Sequence, residues 1–343
     1  MMDGGRWGIV ATGILQVKLT KFLEETRLHE QDGKTKNIFF ATVGESHGII
    51  GFRMALPDRC RERALPATRS CVRSTEMTFA LDAISPRILL CFDFDGTMHH
   101  PASTPPIADE FWDLLNRLRD DRSAVWGINT GRSLPHLIEG LEESQVPYLP
   151  DFIVAREREI FYPDTNGGWH ADRDWNDACH QAIADLLGES KDLMGKIRFL
   201  VEERTGAEWL EQVGEPAGII SRTEEEMAWI VGQVESMVPA TSRLGWQRNT
   251  IYLRFGHRAY QKGSSLARVT SHFGLKPSEV FAIGDSHNDI EMLHHETAAM
   301  IACPANAVEE IAAHVARQGG YLCRAPYSQG AAEAMRHFLM RQE

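Results

Sequence analysis

The stretch Ile88-Leu89-Leu90-Cys91-Phe92-Asp93-Phe94-Asp95-Gly96-Thr97 decides the fold. Its first five residues form a short continuous apolar run, the pattern of a strand buried on both faces. Two carboxylates follow where the run ends, and Gly96-Thr97 turns the chain. Residues i and i+2 of a strand point the same way, so Asp93 and Asp95 face one small volume at the strand's carboxyl end. Open α/β sheets bind their ligands at that end.

Downstream, apolar strands alternate with amphipathic helices, as in a parallel sheet with crossover helices. Helical spacing over 107–118 places Phe111, Leu114, Leu115 and Leu118 on one face. A strand at 124–128 ends at Asn129-Thr130-Gly131-Arg132, a helix covers 133–143, and 151–162 reads as a strand pair. Between Pro163 and Gly256 the rhythm changes. Helices at 175–187 and 223–238 are interleaved with strand candidates at 197–201, 218–221 and 250–255. After Lys262 the alternation resumes: a helix to Phe273, strand 280–283, helix 289–294, strand 298–302, and helices at 307–316 and 330–339. The expected architecture is α/β: a parallel-sheet core formed by 86–162 and 257–343, with an α+β domain inserted at 163–256. Upstream, residues 1–85 have weak periodicity and gather Arg53, Arg59, Arg61, Arg63, Arg69 and Arg73 among prolines. They read as a poorly ordered extension, and Met77 opens the segment that flows into the first strand, so the working protein could begin near it.

A chain of 343 residues accommodates two domains or one domain with a large insert. The formal net charge of -12 disfavours a general nucleic-acid or anionic-membrane binder, which attracts phosphate through an excess of Lys and Arg. A small phosphorylated substrate held by a few local cations is compatible with it. The six cysteines contain no C-x-x-C pair, so a reducing cytoplasm is the expected location and neither a zinc site nor a disulfide framework is suggested. No apolar run reaches the roughly 18 to 20 residues of a membrane span.

Four polar signals stand at strand ends or helix starts: Asp93-x-Asp95, Thr130, Lys262, and Gly284-Asp285-Ser286-His287-Asn288-Asp289. Each alone reads as a turn, a helix cap or a solvated side chain. In this order they gather along one edge of a parallel sheet, and together they supply what phosphoryl transfer requires. A carboxylate attacking a phosphate dianion faces charge repulsion, which a divalent cation and nearby donors offset. Asp93 is the candidate nucleophile, and Asp95 the general acid and then the general base. Asp285, with Asp289 nearby, adds carboxylates that suit Mg²⁺, a hard ion that prefers oxygen. Thr130 and the backbone N–H groups after it, Gly131 included, can hold phosphate oxygens, and Lys262 neutralises charge.

These motifs resemble the haloacid dehalogenase superfamily of phosphohydrolases, over residues 87–342. Asp93-Phe94-Asp95-Gly96-Thr97 matches the first motif of that family, Thr130-Gly131-Arg132 the second, Lys262-Gly263 the third, and Gly284-Asp285-Ser286-x-Asn288-Asp289 the fourth. The resemblance implies a Rossmann-like core with Mg²⁺ held by Asp93, the backbone carbonyl of Asp95, and Asp285. Family dehalogenases lack a carboxylate at the position of Asp95, and the family's transport ATPases need membrane helices, which leaves a phosphatase or a phosphomutase. An insert between the second and third motifs implies a C2-type cap, a lid that selects the substrate.

Pro150-Asp151-Phe152, Glu159-Ile160-Phe161-Tyr162-Pro163, Trp169, Trp175 and the ending Ser328-Gln329-Gly330-Ala331 with Met335-Arg336-His337-Phe338 are similar to the sucrose-phosphate phosphatase subfamily. Relatives usually have a Gly in the strand-pair turn, where this chain has Arg156-Glu157-Arg158, a charged rim that bears on whether sucrose phosphate is the substrate. The insert carries Trp169, Trp175, Trp209, Trp229 and Trp246 with His170 and Arg248. Such residues suit sugar rings, although each Trp is by itself more often core. The doublets His99-His100 and His294-His295 read as surface residues beside the site. The expected activity is Mg²⁺-dependent hydrolysis of a small sugar phosphate through an aspartyl phosphate. A phosphosugar mutase and a non-catalytic sugar-phosphate-binding protein are the alternatives; the sequence leaves the sugar and the oligomeric state open.

Overall fold

The structure, a computed structural model, describes residues 86–340 apart from 166 and 212–214. The expectations for residues 1–85, a poorly ordered extension and a start near Met77, lie outside the described residues. The first portion runs β1 (Ile88–Phe92), α1 (Asp109–Arg122), β2 (Ala124–Asn129), α2 (Leu134–Glu143), β3 (Phe152–Ala155), β4 (Glu159–Pro163) and β5 (Trp169–Ala171). The insert follows as α3 (Arg173–Glu189), α4 (Lys191–Arg204), β6 (Glu208–Leu210), β7 (Gly218–Ile220), α5 (Glu224–Met237), β8 (Leu244–Asn249) and β9 (Tyr252–His257). The chain then returns through α6 (Lys262–His272), β10 (Val280–Ile283), β11 (Met300–Cys303), α7 (Glu309–Arg317), β12 (Tyr321–Leu322) and α8 (Tyr327–Leu339).

The core sheet has the order β12-β11-β10-β1-β2-β3-β4-β5, parallel from β12 to β3 and antiparallel beyond. β1 sits in its middle, buried along its whole length. Alternation along β1 feeds two apolar layers. Leu90 and Phe92 join Phe111, Trp126 and Met335 on one face, while Leu89 and Cys91 join Phe152, Leu266 and Ile311 on the other. Each such side chain contributes about 1.5–3 kcal/mol on burial, which fixes the strand's register firmly. Phe92 is level with Ile283 of β10 and Ile128 of β2. The residues just past these three strands therefore end side by side.

The insert forms its own antiparallel sheet, in the order β6-β7-β9-β8. One of its faces is closed by α4 and α5, with Ile197, Val201, Ile219, Met227, Ile230, Leu253 and Phe255 in the shared core. Helix α5 starts where the sequence signals it: Thr223 accepts from the Glu226 N–H at 3.1 Å, and Glu224, Glu225 and Glu226 suit the positive end of the helix dipole.

Three expectations change. The strand candidate 197–201 lies inside helix α4, because Ile197 and Val201, four residues apart, are buried on one helical face. The core runs past Pro163, since β5 pairs antiparallel with β4, moving the start of the insert from 163 to beyond Ala171. The helix expected at 289–294 is reduced to a 3-10 turn at His287–Asp289, because the Asp289 carboxylate is drawn back onto the N–H groups of Asp285 and Ser286. Cys91, Cys179, Cys303 and Cys323 are buried free thiols, and Cys60 and Cys71 lie outside the described residues. Among the described residues no helix is long and apolar enough to cross a membrane.

Candidate active site

The aligned ends of β1, β2 and β10 bring Asp93, Thr130 and Asp285 to one edge, and the start of α6 brings Lys262 under them. The Asp93 N–H donates to the Ile283 carbonyl at 3.0 Å, extending the β1–β10 pairing past the strand itself. Lys262 is fully buried, and its ammonium donates to Asp93 Oδ1 and Asp289 Oδ1, both at 2.6 Å. Burial alone would push the Lys262 pKa down, but the Asp289 and Asp93 carboxylates outweigh it and hold the pKa above the ordinary lysine value. The ammonium is thus fixed in its charged form.

Asp289 spends its second oxygen on the N–H groups of Asp285 and Ser286, each at 2.9 Å. Thr97 donates its hydroxyl to Asp285 Oδ1 at 2.6 Å. Gly96, at φ 82°, lets the turn after β1 press against that carboxylate; a Cβ there would lie 2.8 Å from Asp285 Cγ. One oxygen each on Asp93, Asp285 and Asp289 falls within 4.8 Å of the others. Burial pushes the Asp93 carboxyl well up and Asp285 up to about 7, with the negative charge of Asp289 adding to both. Three carboxylates against one ammonium leave an excess of negative charge in a nearly dry site. A divalent cation would relieve that excess, and Asp93 and Asp285 keep oxygens that Lys262 and Thr97 do not use. The donor set therefore fits a hard metal ion.

Asp95 behaves differently. Its side chain is 47% exposed and bridges to Arg132, whose Nη2 and Nε donate at 2.6 and 2.7 Å. His99 lies 3.5 Å away, stacked on Phe94. Burial would raise the Asp95 pKa, but the nearby His99 ring and the hydrogen bonds from Arg132 overcome it and bring it below the usual carboxylate value. The carboxylate is ionised and engaged until Arg132 moves. Thr130 is buried, and its hydroxyl accepts from the Arg132 N–H at 3.2 Å, which leaves the hydroxyl proton to donate elsewhere.

Above this floor opens a cleft of about 920 Å³. Its core side is Asp93, Asp95, Thr130, Gly131 and Arg132; its other wall is the face of the insert's sheet, with Leu210, Gly218, Gln247, Asn249, Tyr252 and Arg254. The charged turn Arg156-Glu157-Arg158 lies on the rim, as the sequence suggested. Arg156 and Glu157 have φ of 50° and 67°, a conformation that costs a non-glycine residue about 1–2 kcal/mol each. The backbone is held there by N–H bonds of 2.8 Å from Arg156 to the Arg132 carbonyl and from Glu157 to the Thr130 carbonyl. Asn288 secures the Glu157 carboxylate at 2.8 Å, and both Arg156 and Arg158 pair with Glu215 of the insert.

Of the insert residues singled out from sequence, only Arg248 lines the cleft. Trp209 and Trp246 pack into the core of the insert, Trp169 packs against the main core, and Trp175 gives its indole N–H to the Arg158 carbonyl at 2.7 Å. Trp229 is 41% exposed away from the cleft. His100 bonds Ser103 and stacks on Tyr327, and His294 packs edge-on against His314. Missed from sequence were Gln247, Asn249, Tyr252 and Arg254. The two-residue alternation of Tyr252-Leu253-Arg254-Phe255, exposed and buried in turn, carried the signal.

Residues 210–319 match the family described as haloacid dehalogenase-like hydrolase. Over 78 residues, 23% of this chain and 33% of that protein, the sequence is 37% identical to a phosphoglycolate phosphatase of Methanothermobacter thermautotrophicus. Over 98 residues, 27% of this chain and 40% of that protein, it is 33% identical to a phosphoglycolate phosphatase of Methanospirillum hungatei. The chain thus spans about a third (33%) to two-fifths (40%) of the length of these curated relatives. Its fold is shared with the sucrose-phosphatase of Synechocystis sp. PCC6803, solved with sucrose and phosphate, at a TM-score of 0.57 and 18% identity over 74% of this chain and 98% of that one. The chain is thus similar to haloacid dehalogenase-like hydrolases over residues 210–319, and the fold that carries its four motifs is the one seen in that sucrose-phosphatase.

Proposed function

We propose that the chain is a Mg²⁺-dependent phosphatase of a small phosphorylated metabolite, with a sugar phosphate as the leading substrate class. The observation that carries this reading is the buried Lys262 ammonium, held on Asp93 directly beneath an open cleft. Asp93 has two oxygens for two tasks, one to attack phosphorus and one to hold the metal ion, and the Lys262 ammonium takes up a single lone pair of Oδ1. The phosphate dianion would rest on the Thr130 hydroxyl, the Gly131 N–H and Lys262, all of which donate. Held by Asp93, Asp285 and the carbonyl of Asp95, with Asp289 fixing Lys262 and the loop behind them, Mg²⁺ would offset charge on the nucleophile and the phosphate.

Asp93 attacks phosphorus, the ester oxygen departs with a proton from Asp95, and an aspartyl phosphate remains. Asp95, now a carboxylate, takes a proton from water as that water attacks the phosphorus, releasing inorganic phosphate and regenerating Asp93. Before the first step Asp95 has to exchange Arg132 for a proton. The freed guanidinium, next to Thr130 and Gly131, is then available to the phosphate.

Sucrose 6-phosphate, phosphoglycolate and hexose phosphates are the first substrates to try. The structural neighbour was solved with sucrose and phosphate, and the curated relatives are named for phosphoglycolate. Phosphate release is measured across such a panel with added Mg²⁺, for the wild type and Asp93→Asn. The variant is expected to lose turnover by on the order of 10³-fold or more while still binding ligand. Turnover unchanged in Asp93→Asn would sink the mechanism, and an isomerised sugar phosphate without phosphate release would identify a mutase.

A further inference from the structure

Five arginines line the cleft: Arg132, Arg156, Arg158, Arg248 and Arg254. Four have a carboxylate at hand. Arg132 pairs with Asp95 at 2.6 Å, Arg156 and Arg158 share Glu215, and Arg248 lies 3.8 Å from Glu224 Oε2. Arg254 has no carboxylate partner among the described residues. Its one hydrogen bond runs from Nη1 to the Gly131 carbonyl at 3.2 Å, across the cleft from the insert to the loop after β2.

The placement of Arg254 follows from its strand. Leu253 and Phe255 are buried against α4 and α5, so Tyr252 and Arg254 point the opposite way, toward the core. Gln247, level with Arg254 on β8, shares that face and also lines the cleft. A guanidinium carries five donors in a fixed fork that matches a carboxylate or phosphate edge. A single bond to a neutral carbonyl leaves most of that fork unused. The transferred phosphate already has donors from the floor in Thr130, Gly131 and Lys262, so the spare charge of Arg254 faces the rest of the substrate.

Resting on the phosphatase reading, we propose that Arg254 binds a second acidic group on the leaving-group side of the substrate. Within that reading the small phosphorylated metabolite narrows to one with a second acidic group, a phosphorylated sugar acid or hydroxy acid. A short spacer between its two anionic groups suffices, because the guanidinium already reaches Gly131, beside which the phosphate rests. Arg254 is a specificity-determining residue in this scheme: it selects the molecule that leaves and takes no part in proton or phosphoryl transfer.

Matched pairs that differ in one group test this. They are 3-phosphoglycerate against glycerol 3-phosphate, and 6-phosphogluconate against glucose 6-phosphate, with fructose 1,6-bisphosphate as an acid of the other kind. Phosphate release gives kcat/KM for each with the wild type, Arg254→Gln and Arg254→Lys. The wild type is expected to favour the acidic member of at least one pair by about tenfold or more, the size of one charge-assisted contact. Arg254→Gln should collapse that ratio toward one, chiefly through KM, and Arg254→Lys should keep part of it. Equal losses on both members would overturn the proposal and assign Arg254 to the transferred phosphate. A wild type with no preference overturns it as well. Failure to release phosphate from any ester, p-nitrophenyl phosphate included, would instead break the phosphatase reading. Calorimetric binding of the same pairs to the wild type then decides the proposal by the same ratio.

Discussion

The floor of the cleft and its insert wall are built on opposite electrostatic terms. On the floor, Asp93 is 6% exposed while Lys262 and Asp289 are fully buried, and each charge is engaged by another. On the wall, Asn249, Tyr252 and Arg254 are exposed, Asn249 accepts from the Ser286 hydroxyl at 2.9 Å, and the Arg254 guanidinium bonds only a backbone carbonyl. A desolvated charge has to be paired, and removing its partner strands it. The floor therefore tolerates little change. The wall keeps its side chains in water until something displaces the water, so residues there can be exchanged without unfolding the protein. On the proposed phosphatase reading, this division would leave the reacting groups in place when side chains of the wall are replaced.

Lys262→Met attacks the floor where it is most committed. It leaves Asp93 and Asp289 buried without their counter-charge, and should cost about 3–5 kcal/mol of stability in metal-free buffer together with nearly all turnover. Denaturant titration reads the first and phosphate release the second. An unchanged midpoint would mean that the floor is more hydrated than its burial implies.

A smaller effect comes from the acid titration of the same site. Asp285, raised to about 7 by burial and the neighbouring carboxylates, is protonated below that pH and ionised above it. A metal ion needs the ionised form, so the apparent affinity for Mg²⁺ should weaken by up to about tenfold per pH unit below 7 and level off above it. Calorimetry of Mg²⁺ binding between pH 5.5 and 8.5 measures this, and a flat profile would count against Asp285 as a ligand.

The smallest effect is expected where the two regions are tied together. Glu215→Gln releases Arg156 and Arg158 and removes the ionic tie between the rim turn and the insert. Faster hydrogen exchange at the Arg158 amide, which donates to the Ala155 carbonyl at 3.0 Å, and a KM raised a few-fold are the expected readouts. Unaltered exchange would show that the backbone bonds to Thr130 and Arg132 hold the strained turn by themselves.

Legibility in the sequence follows the same division. The segment 88–97 was readable because a doubly buried strand is a continuous apolar run and its functional residues come immediately after it. The stretch 197–201 misled because Ile-Arg-Phe-Leu-Val is a short, mostly apolar run, and over so few residues such a run suits a strand as well as a helix. Only packing against Met227 and Ile230 of α5 shows that Ile197 and Val201 share a helical face. The tryptophans misled for a related reason: a large aromatic ring suits a sugar and a core equally, and in this fold Trp209 and Trp246 went to the core.

By itself the sequence determined the strand order of functional groups: two carboxylates after β1, a hydroxyl after β2, a lysine opening α6 and acidic residues after β10. Those are local facts, written in runs of a few residues. Only the tertiary structure decided that Lys262 lies between Asp93 and Asp289, that Arg132 holds Asp95, that Glu215 gathers two arginines of the rim, and that Arg254 is left with a carbonyl. Which charge meets which depends on how separate layers stack, and no local periodicity encodes that.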